Sequence, residues 1–292
     1  MNFTSKMYKW IAWVTVIDSG IPWKNIWIIA ITHWNEPVWL SIFDYLVNTF
    51  EIWKKIRQWK MYLIANNIDA YSEYVKNWDI DTGRFIDHNM NRITNKEFIV
   101  WSVEFARFQT LEPIFDEIDI VIDIHSVSKW NDLICVTDKK YLNQSKKFFD
   151  VETILVDTLW DHGSIAWHFL RKDKEAYWIE CWNHIDESGF KNGIRNVLNF
   201  LSYHWSIDHP ILKKHNIPKI FEFFQEITPK TDIFKFLWEF IWFVSIDEGF
   251  AYAIDGDISL INTHWKQIYI WMAAKIPKKW DGAGFLFRKI ET

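Results

Sequence analysis

The stretch Ile118-Asp119-Ile120-Val121-Ile122-Asp123-Ile124-His125 decides the fold class. Its β-branched residues alternate in part with acids, the period-two mark of a strand, and it closes on a histidine. Upstream of it, residues 11–17 and 26–32 are short β-branched runs and 61–65 reads as another strand. Downstream, 133–136, 153–156 and 177–181 repeat the type. Between them lie helical patterns. Leu40, Ile42, Phe43, Leu46, Val47, Phe50 and Ile52 recur at helical spacing within 40–57, and 139–149 and 187–204 also read as helices. Thr94-Asn95-Lys96-Glu97 has the form of a capping box. Phe98, Trp101, Phe105 and Phe108 would follow it as one apolar stripe, with Pro113 ending the helix. Strands alternating with helices predict an α/β fold, a mixed sheet flanked by helices.

The pattern changes near 208–219, where Pro210 and Pro218 fall among Lys213, Lys214 and Lys219. Beyond it come strand-like segments at 241–246, 251–254, 258–262, 267–273 and 284–289, punctuated by Asp255-Gly256-Asp257 and Asp281-Gly282. The expected organisation is a catalytic domain over 1–212 and a small β domain over 213–292.

Composition narrows the function classes. The net charge of -5 offers no basic footprint for nucleic acid. Two cysteines, Cys135 and Cys181, do not make a disulfide scaffold and suit a reducing compartment. No apolar run approaches the roughly 18–20 residues of a membrane-spanning helix, and residues 1–10 lack a signal-peptide pattern. A soluble cytoplasmic protein, with no nucleic-acid or membrane partner, is the expectation. Oligomeric state is open.

The chain holds 21 Trp and 9 Gly, where ordinary usage gives about 20 Gly in this length. Many of the tryptophans stand where a turn wants glycine. Trp23 follows Pro22 between two strands, Trp265 lies at a hairpin tip where positive φ is expected, and Trp130 and Trp280 occupy two further tips. Two readings compete. The indoles are real and exposed, suited to stacking on sugars or to a membrane interface. Or the source reads UGA as glycine, and many of these tryptophans stand for glycine.

Polar residues at strand ends carry the chemistry. His33-Trp34-Asn35-Glu36 follows the run 26–32 directly, and His125 closes the run 118–125. Two histidines and a glutamate are the ligand set of a catalytic zinc with an open position for water. Taken singly, the His33/Glu36 pair also fits a solvated turn, and His125 a satisfied histidine at a sheet edge. Arg84, Asn91 and Arg92 lie in a polar loop that reads either as solvated or as a carboxylate clamp, since the guanidinium fork matches carboxylates. Glu180 ends an apolar strand, as a general base or a salt-bridged acid.

Together these residues resemble the succinylglutamate desuccinylase/aspartoacylase family, relatives of the zinc carboxypeptidases. That family shows His-Gly-Asn-Glu, an Arg, an Asn-Arg pair, Asp-x-His-Ser/Asn, and a strand-borne Glu followed by Gly. Here they stand as His33-Trp34-Asn35-Glu36, Arg84, Asn91-Arg92, Asp123-Ile124-His125-Ser126 and Glu180-Cys181-Trp182, in the same order with similar spacing. The resemblance runs from Tyr8 to Trp205, and the C-terminal part is similar to the small β domain that follows in that family. Reading Trp34, Trp39, Trp130, Trp178 and Trp182 as glycine brings the match closer.

The resemblance implies a zinc carboxypeptidase-like fold and a zinc-dependent amidohydrolase acting on a small N-acyl amino acid. His33, Glu36 and His125 would hold one Zn²⁺ per chain. Glu180 would move the proton from water to the leaving amine, Arg84 would polarise the scissile carbonyl, and Asn91 with Arg92 would bind a substrate carboxylate. Asp123 would orient a ligand histidine or face solvent. Cys181, His162 and Arg171 have no assigned role. The acyl group is open. A carboxypeptidase acting on peptides shares these residues, and a Trp-rich carbohydrate-binding protein is the alternative from a different class.

Overall fold

The computed structural model describes residues 2–4, 7–9, 11–33, 35–36, 38–77, 85–94, 101–127, 133–156, 163–183, 186–213, 217–240, 243–274, 277, 279 and 282–290. The chain forms two compact units, Met1–Glu152 with Asp161–Ile217, and Thr153–Trp160 with Pro218–Thr292.

In the first unit the strands lie side by side in the order Asn2–Thr4, Val14–Asp18, Lys60–Ala65, Asn25–Ala30, Ile120–Val127, Glu175–Asn183, Ile134–Thr137. The central pairs, from Lys60–Ala65 through Glu175–Asn183, are parallel. Val14–Asp18 and Ile134–Thr137 pair antiparallel outside them. Parallel strands need helices on their faces, so they are apolar nearly throughout. Ile120–Val127 is accordingly buried at every position. The helices Val103–Phe115 and Ile165–Arg171 bring Phe105, Phe108, Phe115 and Phe169 onto Trp27, Ile29, Tyr62 and Val121 of the strands. The helices Val38–Asp44 and Glu187–Tyr203 pack together where Gly193 meets Ile42; a Cβ at 193 would lie 2.4 Å from the Ile42 Cδ1.

Several expectations shift. The segment 40–57 is not one helix but Val38–Asp44, a π-turn over Tyr45–Thr49 and Ile52–Lys55, broken where Glu51 turns left-handed at φ 50°. The helix expected from Thr94 begins at Val103, capped by Ser102, while 95–100 lie outside the described residues. Trp101 is 97% exposed and so leaves the predicted stripe, whereas Phe105 and Phe108 keep it. Pro113 sits inside the last turn, and the helix runs on to Phe115. The helices Ile68–Asn77 and Ile165–Arg171 were not anticipated.

The second unit has one sheet in the order Thr153–Val156, Lys219–Ile227, Gly284–Lys289, Gln267–Trp271, Val244–Asp247, and a second formed by Lys235–Phe236, Ala251–Asp255 and Ile258–Ile261. Its core includes Ile227, Phe234, Ile246, Tyr252, Ile268, Ile270 and Leu286. Gly256 takes φ 65° in the turn between Ala251–Asp255 and Ile258–Ile261, as a tight hairpin requires. Trp23 and Trp265, in contrast, do not take positive φ. At the second of these the Asn262 Oδ1 shapes the turn instead, accepting from the amides of His264 at 3.2 Å and Trp265 at 3.4 Å. Trp34, Trp130 and Trp280 lie outside the described residues. Among the described residues no helix is long and apolar enough to cross a membrane.

Candidate metal centre

The strand Asn25–Ala30 stops two residues earlier than its sequence pattern, because Ile31 turns to φ 56°. A β-branched residue in that region is strained by about 1–3 kcal/mol, and such strain gathers at functional sites. The amides of Asn66 and Asn67 hold the turn, donating to the carbonyls of Ala30 at 2.7 Å and Ile31 at 2.9 Å. The chain is thereby swung so that His33 and Glu36 face the neighbouring strand Ile120–Val127. His125 is not at the end of that strand; Ser126 and Val127 follow it in the ladder. This places Ser126 N–H where it donates to Glu36 Oε2 at 3.1 Å.

His33, Glu36 and His125 converge and are buried, with one ligand atom from each lying within 4.8 Å of the others. His33 Nδ1 is 2.7 Å from Glu36 Oε1, and His125 Nδ1 is 3.1 Å from Glu36 Oε2. The outer ring nitrogens also have close partners, a hydrogen bond at His33 and a charged contact at His125. His33 Nε2 is 2.9 Å from Asn89 Oδ1, and His125 Nε2 is 3.1 Å from Asp123 Oδ2. Asp123 is buried, not solvated, and its Oδ1 accepts from Thr32 Oγ1 at 2.9 Å. Metal-ligating histidines are anchored in this manner, through the nitrogen that does not face the metal.

The electrostatics favour a cation. Burial opposes charge on Glu36, but His33 and His125 outweigh it and hold the carboxyl well below the usual carboxylate range. Burial also opposes charge on His125, but Asp123 and Glu36 outweigh it and hold the imidazole well above its ordinary value. Two buried carboxylates thus concentrate negative charge around the two rings. A divalent ion fits this donor set. Zinc takes nitrogen and oxygen ligands of this kind, and the three side chains already bring one such atom each within 4.8 Å of the others.

Glu180 lies on the adjacent parallel strand, in register with His125. It does not close its strand either; Glu175–Asn183 runs on, with a shift of register between Glu180 and Asn183. Its carboxylate is buried and accepts from Trp178 Nε1 at 3.1 Å. The Trp178 ring stands 4.9 Å from the His125 ring. Asn91 is buried in the turn Met90–Arg92, and half-buried Arg92 donates to its carbonyl at 2.7 Å. Asn89 Oδ1 accepts from the Asn91 amide at 2.8 Å as well as meeting His33, so this loop adjoins the centre. Arg84 and His162 lie outside the described residues. Arg171 donates to Thr94 Oγ1 at 3.1 Å. Burial, then the nearby carboxylates of Glu180 and Glu36, push the Cys181 thiol up, so it stays protonated and unreactive. The sequence reading passed over Asn89 and Thr32. Both flank named motifs, but neither Thr32 in its β-branched run nor Asn89 in its polar loop carries a signal of its distant partner, Asp123 or His33.

No family model and no curated protein sequence matches the chain. Solved structures do. Succinylglutamate desuccinylase from Vibrio parahaemolyticus superposes with a TM-score of 0.79 at 15% identity, over 96% of this chain and 87% of that one. The succinylglutamate desuccinylase of Vibrio cholerae gives 0.78 at 16% identity, over 96% and 86%. An aspartoacylase family protein from Mesorhizobium loti gives 0.61 at 15% identity, over 96% and 89%. The chain shares their fold. At this identity the likeness lies in the path of the backbone, and the side-chain chemistry must be argued from the site itself.

Proposed function

We propose that this protein is a zinc-dependent hydrolase that cleaves the amide bond of an N-acyl amino acid or a similar small carboxylate-bearing amide. The observation that carries the reading is the buried His33–Glu36–His125 group with Glu180 in register beside it, in a fold shared with succinylglutamate desuccinylases. His33, Glu36 and His125 hold the ion. Bound there, zinc would supply Lewis-acid activation of water and of a carbonyl. Glu180 accepts the proton of the attacking water and passes it to the leaving amine. Arg84 stabilises the developing oxyanion, and Asn91 with Arg92 binds the substrate carboxylate. The catalytic part is 1–212 and the small β domain 213–292. In the test, Glu180→Gln keeps one zinc per chain and loses most turnover of N-acyl amino acids, while His33→Ala and His125→Ala lose the zinc. Near-normal kcat in Glu180→Gln would overturn the assignment of the base.

We also infer that many of the 21 Trp are glycine in the native protein, through reading of UGA as glycine. Trp13, Trp59 and Trp205 have φ of 63°, 93° and 61°, conformations that favour glycine. The indole N–H groups of Trp27, Trp39, Trp59, Trp167 and Trp271 are buried without a hydrogen-bond partner, although buried indoles ordinarily find one. At Trp178, glycine would free Glu180 Oε1 of the indole and open space beside His125.

A further inference from the structure

Glu104 is fully buried and stands outside the metal group. It lies in the first turn of the helix Val103–Phe115. Its Oε1 accepts from the Ile86 amide at 2.7 Å and from Asn67 Nδ2 at 3.3 Å. Its Oε2 accepts from the amides of Asp87 at 3.2 Å and His88 at 3.1 Å. Three consecutive amides of one loop therefore converge on one carboxylate. The tie is reciprocal, since Asp87 Oδ2 accepts from the Val103 amide at 2.8 Å, one of the donors a helix leaves unpaired in its first turn. A carboxylate without solvent persists only when hydrogen-bonded. Most of its donors here come from a single short loop, so the charge dictates where that loop lies.

The next residue is Asn89, whose side-chain oxygen meets His33 Nε2 at 2.9 Å and the Asn91 amide at 2.8 Å. The line of contact thus runs from Glu104 through 86–88 to Asn89 and His33. The two histidines are anchored differently. His125 Nε2 faces the Asp123 carboxylate, whereas His33 Nε2 faces a neutral amide oxygen. A neutral acceptor holds an imidazole less strongly than a charged one. Where the loop lies therefore sets whether His33 Nε2 meets its Asn89 acceptor, while Glu36 faces Nδ1.

We propose that Glu104 is a positioning residue of the metal centre. It fixes the amides of 86–88 so that Asn89 engages His33 Nε2 and leaves Nδ1 turned toward Glu36. The inference rests on the metal-hydrolase reading and deepens it. The test measures the zinc dissociation constant of metal-stripped protein by competition with a chromophoric chelator. It compares wild type, Glu104→Gln, Asn89→Ala and the double variant. Glutamine keeps one accepting oxygen and turns an NH₂ group toward the remaining amides. Asn89→Ala should weaken zinc about 10–100-fold, the range for outer partners of ligand histidines. Glu104→Gln should weaken it by about 10-fold, and the double variant should match Asn89→Ala within about twofold, because both act through one contact. If Glu104→Gln does not fold, Asp87→Ala takes its place. Asp87 is exposed, loosens the same loop when truncated, and should show the same non-additivity with Asn89→Ala. Wild-type zinc affinity in the variant, or effects that multiply in the double variant, would overturn the proposal. A wild-type protein that takes up no zinc would overturn the metal reading and this inference with it.

Discussion

At Trp59 a single residue gathers the objections to an indole. Its φ is 93°, its ring is 2% exposed, and its N–H has no hydrogen-bond partner. The left-handed backbone and the buried, unpartnered N–H each cost on the order of 1–3 kcal/mol, against the favourable burial of the ring. Glycine meets neither cost. Trp13 and Trp205 share the left-handed backbone while 47% and 75% exposed, so packing does not demand a large side chain at either. Peptide mass spectrometry of protein from the source should therefore return glycine at 13, 59 and 205. Tryptophan at all three would end the recoding reading and revive the Trp-rich alternative. Trp23 and Trp265 are weaker cases than their turn-like sequence suggests, since neither has positive φ.

Among the elements, the helix Glu187–Tyr203 shows how a polar face holds a fold. Asp186 caps it, accepting from the Ser188 amide at 2.7 Å. Asn196 Oδ1 accepts from the Asp150 amide at 2.7 Å, and Asn199 Nδ2 donates to the carbonyls of Phe148 at 3.0 Å and Leu212 at 2.7 Å. Arg195 Nε pairs with the buried Asp150 carboxylate at 2.6 Å. Removing one partner of a buried pair costs up to about 3–5 kcal/mol, less where another cation, here Lys213, acts on the same carboxylate. Arg195→Ala should lower the urea midpoint by up to that equivalent, with zinc stoichiometry unchanged in the protein that remains folded. A midpoint within error of wild type would show that solvent or Lys213 takes over the Asp150 carboxylate.

For the molecule as a whole, acid stability follows from buried carboxylates. Burial works against charge on Glu175, but His204 outweighs it, helped by Tyr177 and Lys24, and its pKa lies below the ordinary 4.5. His204 Nε2 is 3.3 Å away and the Tyr177 hydroxyl donates at 2.6 Å. Because the folded pKa is depressed, the unfolded chain binds the proton more readily. The stabilisation is present above the ordinary carboxylate value and is lost as pH falls from it through the lower folded value. A thermal midpoint followed against pH should fall on that acid side, and Glu175→Gln should start lower and show a flatter acid limb. An unchanged acid limb in the variant would remove Glu175 from the account.

The sequence by itself determined the α/β class, a mixed sheet flanked by helices, and the residues of the converging group. Those features rest on local pattern: β-branched runs, helical spacing, and His33, Glu36 and His125 at strand margins. Tertiary structure decided how they meet. The turn at Ile31 ends its strand two residues early, and the strand through His125 runs two residues later than its pattern. Neither shift is visible in residue types, because the hydrogen bonds from Asn66 and Asn67 that hold the turn come from a distant segment. Likewise nothing in Glu104 or Asn89 marks them out along the chain. A buried carboxylate or amide acquires its role only from the donors that folding brings to it, and those donors lie up to 56 positions away, as His33 does from Asn89.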